Sequence, residues 1–224
     1  MEEYILKRRR GQKTIRMHYN DRGELIVSAS PLVSQKRIDE FVSANSAWIE
    51  KTKATFKDHS YSNGDTIPYL GKSCLLLVAN GAENTVNYLD GSILVMTKRK
   101  ASEQKVRTML RIFYEKTILE TALPRVKFWC SVMGLAEPKV STCNAKTRWA
   151  VCVPSSREIR FSAISATLDY SMIDMIVVHE LCHLFHPNHS KQFWEEVAKY
   201  VPDIREKEKR LREISLRGAH RNLF

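Results

Sequence analysis

The chain has 224 residues, 43% of them apolar and 27% charged, with a formal net charge of +11. That length and composition can bury an ordinary core, which excludes a disordered tether. No apolar run approaches the ~20 residues of a membrane span, and the first residues lack the basic-then-apolar layout of a secretion signal, so the cytoplasm is the expected location. The five cysteines, Cys74, Cys130, Cys143, Cys152 and Cys182, include no C-x-x-C pair, which favours reduced thiols over a disulfide framework or a cysteine-type zinc ribbon.

Segments Thr14–Tyr19 and Glu24–Ser28, joined through Asn20-Asp21-Arg22-Gly23, read as a hairpin. Pro31 and Ser34 then open one helix, with Ile38, Phe41, Val42, Trp48 and Ile49 on its inward face. Thr66–Leu70, Ser73–Ala79, Thr85–Tyr88 and Ser92–Thr97 read as strands, with turns at Gly71, Asn80-Gly81 and Asp90-Gly91. From Ser102 a long helix is expected, turning Val106, Met109, Leu110, Phe113 and Ile118 inward and breaking or kinking near Pro124. Pro138–Asn144, Arg148–Val153 and Glu158–Ser162 follow as short strands, then helices over Ser171–His186, Ser190–Val201 and Asp203–Leu216. The fold class is therefore α+β. A mostly-β amino-terminal part with one helix is expected over residues 1–100, and a helical part with a short sheet over residues 101–224.

The chemistry concentrates in the first of the last three helices. His179-Glu180-Leu181-Cys182-His183 is an H-E-x-x-H run, and four of the chain's seven histidines lie between His179 and His189. Residues four apart share a helix face, so His179 and His183 can address one metal ion while Glu180 projects to a neighbouring position as a general base. The preceding Ile173, Met175, Ile176 and Val177 mark a buried helix, in which two histidines and a glutamate need a polar partner. A catalytic zinc takes a third protein ligand. His189 lies beyond Pro187-Asn188, where the chain should turn back, and is the preferred third ligand; Glu195 and Glu196 are alternatives on the next helix. His186 shares the helix of His183, but three ligands on one straight helix would span about 10 Å, so it reads as surface or as support for the ligands. The spacing equals that of metzincin proteases, yet His186 occupies their glycine position and no methionine follows Met175.

At these residues the chain resembles the YgjP-like family of metal-dependent hydrolases, relatives of the SprT-like zinc proteases. The matching runs are Asp174-Met175-Ile176-Val177-Val178-His179-Glu180-Leu181-Cys182-His183 and Asn188-His189-Ser190-Lys191-Gln192-Phe193-Trp194. The likeness reaches upstream to Arg148-Trp149, to the amino-terminal hairpin and to Ala47-Trp48-Ile49. It implies a zincin-like carboxy-terminal domain with His179, His183 and His189 as zinc ligands and Glu180 as catalytic base. Ala150 and Val151 stand where the family has glycine and serine, on a strand expected to line the cleft beside an extended substrate; the plainer reading of both is repacking. Ser190 is expected to cap the following helix, with Phe193 and Trp194 packed beneath the metal.

The expectation is a Zn2+-dependent metallopeptidase acting on peptide or protein, with Arg148, Tyr170 and His186 as candidate oxyanion donors. One alternative keeps the metal and takes a nucleotide pyrophosphate as substrate. Another is a nucleic-acid-associated protein whose zinc is structural. Basic residues concentrate at Lys7–Lys13, Lys98–Lys100 and Arg205–Arg221, a surplus that can steer a chain towards polyanions. In the last of these, Glu206, Glu208 and Glu213 interleave with the bases, as on an ordinary solvated helix face.

Overall fold

The computed structural model describes residues 2–19, 24–53, 61–145 and 148–216. Two compact units result, one from residues 1–58 and the other from residues 59–215. The change of composition near residue 100 thus falls inside the second unit. The physical reason is that the sheet before residue 100 and the long helix after it share one core, which includes Ile67, Leu76, Ile93 and Val95 together with Val106, Leu110, Tyr114 and Ile118.

The first unit contains β1 (Ile5–Arg8), β2 (Arg16–Tyr19) and β3 (Leu25–Ala29) in the order β1-β3-β2. The expected hairpin pairs β2 with β3 antiparallel, whereas its turn, Asn20–Gly23, lies outside the described residues. β1, which periodicity did not reveal, joins parallel to β3. The expected single helix is two, α1 (Gln35–Ala44) and α2 (Ser46–Lys53). Asn45 separates them: its side-chain amide donates to the Phe41 carbonyl at 2.7 Å, offering the backbone an alternative to continued helix. Leu25, Val27, Ala29, Ile38, Val42 and Ile49 form the core of this unit. Trp48 is 40% exposed and sits outside that core, against Tyr19.

The second unit opens with β4 (Thr66–Tyr69), β5 (Lys72–Asn80), β6 (Thr85–Leu89) and β7 (Ser92–Thr97), in the order β4-β5-β7-β6 with β5 and β7 parallel. α3 (Glu103–Met133) follows, capped by Ser102. It continues through Pro124, so of the expected break or kink there the break does not occur. Pro124 and Glu120, the residue whose carbonyl loses its hydrogen bond, are both exposed, so water can take the missing donor's place. β8 (Lys139–Cys143), β9 (Ala150–Val153) and β10 (Glu158–Ser162) form a second sheet with β10 central and β9 at an edge. α4 (Tyr170–Cys182), α5 (Lys191–Tyr200) and α6 (Ile204–Leu216) complete the unit. Among the described residues no helix is long and apolar enough to cross a membrane.

Candidate metal centre

α4 is held along its length before it delivers any functional group. Its first turn is capped by Asp169, whose carboxylate accepts from the Met172 amide at 3.0 Å and pairs with Arg210 at 2.7 Å. The turn between β4 and β5 docks on the segment leading into it: the Leu70 and Gly71 amides donate to the Ala166 and Thr167 carbonyls at 2.7 and 3.0 Å. Gly71, at φ +79°, comes so close that a Cβ there would lie 2.6 Å from Asp169 Cβ. Further along, Asp174 receives the Arg125 guanidinium in a two-pronged ion pair and the Trp129 indole N–H at 2.9 Å, tying α4 to α3. A lone carboxylate in the apolar run Met172–Val178 was the sequence signal for this anchor, though not for its partners 45 and 49 residues away.

The ligand arrangement follows from where α4 stops. His179 is on its last turn, and His183 occupies the C-cap, still with right-handed helical torsions, φ −66° and ψ −14°. The chain then turns through Leu184–Asn188 and brings His189 back, so that its Nε2 lies 3.0 Å from that of His179. One ring nitrogen from each of His179, His183 and His189 lies within 4.8 Å of the others, and this is the metal-competent cluster among the described residues. Nitrogens bound tetrahedrally to zinc at about 2.0–2.1 Å stand about 3.3 Å apart, so the cluster is of the right size.

Electrostatics point the same way. The Nδ1 of His183 lies 2.9 Å from the His186 carbonyl, which can only accept; Nδ1 therefore carries the proton and Nε2 is left as a lone pair. Burial, reinforced by His183 and His189, lowers the His179 pKa to about 3, and burial lowers that of His183 as well. Three converging imidazoles, two of them disfavoured from carrying a proton by burial, are a donor set suited to zinc. Beneath them Phe193 stacks on His183 with centroids 4.5 Å apart, and Trp194 on His189 at 5.6 Å. Ser190 caps α5 by accepting from the Phe193 amide at 3.3 Å, which fixes that aromatic floor.

Glu180 is only 7% exposed. Burial raises its pKa from the ordinary 4.5 to about 7, opposed by a hydrogen bond from the Cys152 backbone amide and by the charge of Arg148. Cys152 lies on β9, so the edge strand touches the carboxylate directly. Trp149 accepts from the Ser162 amide at 2.8 Å; by strand alternation Val151 and Val153 also face β10, while Ala150 and Cys152 turn their amides and carbonyls outward.

The other sequence candidates separate. Glu195 and Glu196 pair with Lys191 and Lys199 at 3.6 and 2.6 Å, away from the cluster. His186 contributes its carbonyl, while its ring packs against Phe185. Tyr170 sits at the far end of α4, 51% exposed beneath the Arg125 guanidinium; nine residues of helix, about 13 Å, separate it from His179. Ala150 is buried in the core, which fits the repacking reading at that position. Sequence reasoning missed two features, the His186 carbonyl and the Cys152 amide, because backbone groups leave no residue-type signature. No curated protein matches the chain. The profile of the family described as YgjP-like, metallopeptidase domain, matches residues 13–214, a span that includes the whole histidine cluster, and the chain belongs to that family.

Proposed function

We propose that the protein is a zinc-dependent metallopeptidase in which His179, His183 and His189 hold the ion and Glu180 is the general base. Family membership supports a metal-dependent hydrolase of peptidase type. The observation that carries the finer reading is the convergence of three imidazole nitrogens beside a buried carboxylate. Zinc held there would supply the Lewis acid that acidifies a water molecule and polarises the scissile carbonyl. Glu180, buried beside the three imidazoles, takes the proton of the attacking water and returns it to the leaving amine. The Cys152 amide holds the carboxylate in place during both transfers. The His186 carbonyl keeps His183 in one tautomer, and Phe193 and Trp194 keep water from beneath the ligands. With the Cys152 amide given to Glu180, the remaining outward backbone groups of β9, at Ala150 and the Cys152 carbonyl, offer an extended peptide a short edge to pair with.

The cluster contains three imidazoles and no thiol or carboxylate among the described residues. A structural zinc closes with four protein ligands, so this composition supports catalysis over the structural alternative. The pyrophosphatase alternative has less support, since the family that the chain belongs to is described as a metallopeptidase domain. The test is to profile the zinc-loaded protein against peptide and nucleotide libraries, with Glu180→Gln as control. Peptide hydrolysis that falls about 10²–10⁴-fold in the variant, with zinc retained, is expected. Hydrolysis of nucleotides alone, or unchanged peptide turnover in the variant, overturns the reading.

A further inference from the structure

The first unit carries a charge pattern that the metal centre does not use. From Tyr4 to Tyr19 the sequence has six cations and no acid. Elsewhere the bases are commonly neutralised, as in the pairs Arg111–Glu115, Lys116–Glu120 and Lys199–Glu196. In the segment joining β1 to β2 and at the first residue of β2, the side chains of Arg9, Arg10, Lys13 and Arg16 are exposed, and none has a carboxylate partner among the described residues. They line a concavity of about 430 Å³ together with Gly11, Gln12 and Thr14.

The segment is built to hold that shape. Gln12 clips it to β3, its amide donating to the Thr14 and Ser28 carbonyls at 2.6 and 2.7 Å. Gly11, at φ +78°, allows the reversal after Arg10 that few other residues tolerate. Arg8 reaches the Ser30 carbonyl at 2.9 Å, fixing the loop that leads into α1. That helix has no acid in its first turn, and its exposed Lys36 and Arg37 add to the positive end of its dipole. Arg37 and Lys13 line one further hollow, which they share with a single acid, Glu40. Self-repulsion among so many unpaired cations is relieved by an external polyanion that releases its counterions on binding.

We propose that this face of the amino-terminal unit binds the phosphate backbone of nucleic acid, without reading sequence. Arginines held in concavities suit separate phosphate groups approached bidentately. A bilayer surface calls for a flat basic plane fringed with apolar anchors, and here the large apolar side chains exposed among the described residues of the unit are three, Ile5, Leu32 and Trp48, of which Leu32 alone stands fully out. The proposal is independent of the peptidase reading.

The test uses the full chain and a fluorescent mixed-sequence DNA duplex of about 20 base pairs, with anisotropy read from about 0.05 to 0.2 M salt. Saturable, salt-dependent binding is expected. Replacing Arg9, Arg10 and Lys13 with alanine should weaken it at least about tenfold and flatten the salt slope by about three. Lys127→Ala with Arg205→Ala and Lys209→Ala removes equal charge from the other unit and should leave affinity within about twofold. Arg10→Glu alone provides a second, milder variant. Unaltered zinc content and melting temperature in all variants separate this result from any failure of the metal site. Absence of wild-type binding at the lowest salt, equal losses in the two triple variants, or stronger association with phosphatidylserine vesicles than with DNA would overturn the proposal.

Discussion

Replacing Glu180 by glutamine should make the metal-free protein more stable at neutral pH. Glu180 is 7% exposed, and burial raises its pKa from 4.5 to about 7. In the unfolded chain the carboxyl titrates near 4.5, so between those two pH values the folded protein holds a proton that the unfolded one has lost. Stability due to this group is therefore present below pH 4.5 and is lost as pH rises towards 7. Each tenfold change in proton affinity corresponds to about 1.4 kcal/mol, so the ionised carboxylate costs about 3 kcal/mol above pH 7. Glutamine resembles the neutral acid and can still accept from the Cys152 amide. His179, with its pKa lowered to about 3, acts in the opposite sense, its contribution being lost as pH falls below 6.5. It is common to both proteins and drops out of the difference. Urea denaturation of chelated wild type and Glu180→Gln at pH 8 and pH 4.5 reads the effect. The variant should lead by about 3 kcal/mol at pH 8 and by almost nothing at pH 4.5. Equal stability at both pH values, or a variant weaker at pH 8, would refute the account of burial as the cause.

His179→Ala, His183→Ala and His189→Ala should each lose most of the bound zinc by elemental analysis, whereas His186→Ala, which deletes a ring and keeps the carbonyl facing His183, should retain it. Gly71→Ala should lower stability by about 1–3 kcal/mol, because its Cβ would meet Asp169 in a left-handed backbone; thermal melts that match wild type would contradict that contact. Asp174→Ala leaves Arg125 and Trp129 without their acceptor and should cost about 2 kcal/mol in urea denaturation, less than a fully buried pair because Arg125 is 36% exposed on its side chain.

The strands Thr66–Tyr69, Lys72–Asn80, Thr85–Leu89 and Ser92–Thr97 were readable because each alternates between turn residues, and the histidine cluster because H-E-x-x-H reports a helix face. Their arrangement was not readable in the same way. Periodicity carries no information on which strands pair, so β7 lying between β5 and β6 and the parallel partnership of β1 with β3 had no local signal. Asn45 and Pro124 failed in opposite directions. A polar side chain that can cap its own helix ended one that apolar spacing would have continued. A proline whose lost hydrogen bond faces solvent left intact a helix it would have broken in a buried setting. The approach of His189 to the other two histidines was legible in the turn chemistry at Pro187-Asn188, whereas the positions of Glu195 and Glu196 depended on lysines one turn away.

The shared core of α3 with the four-stranded sheet decides how the protein can be taken apart. A fragment beginning at residue 101 would retain every histidine of the cluster, yet it would strip the cover from Val106, Leu110, Tyr114 and Ile118. It would also remove the turn at Gly71 that meets Asp169 at the head of α4. Such a fragment should be insoluble or molten, and zinc would not rescue it, since imidazoles carried by a helix and turn without their packed core have no fixed geometry to offer. A cut placed between residues 58 and 59 spares all these contacts. An expression boundary placed there should leave the histidine cluster whole.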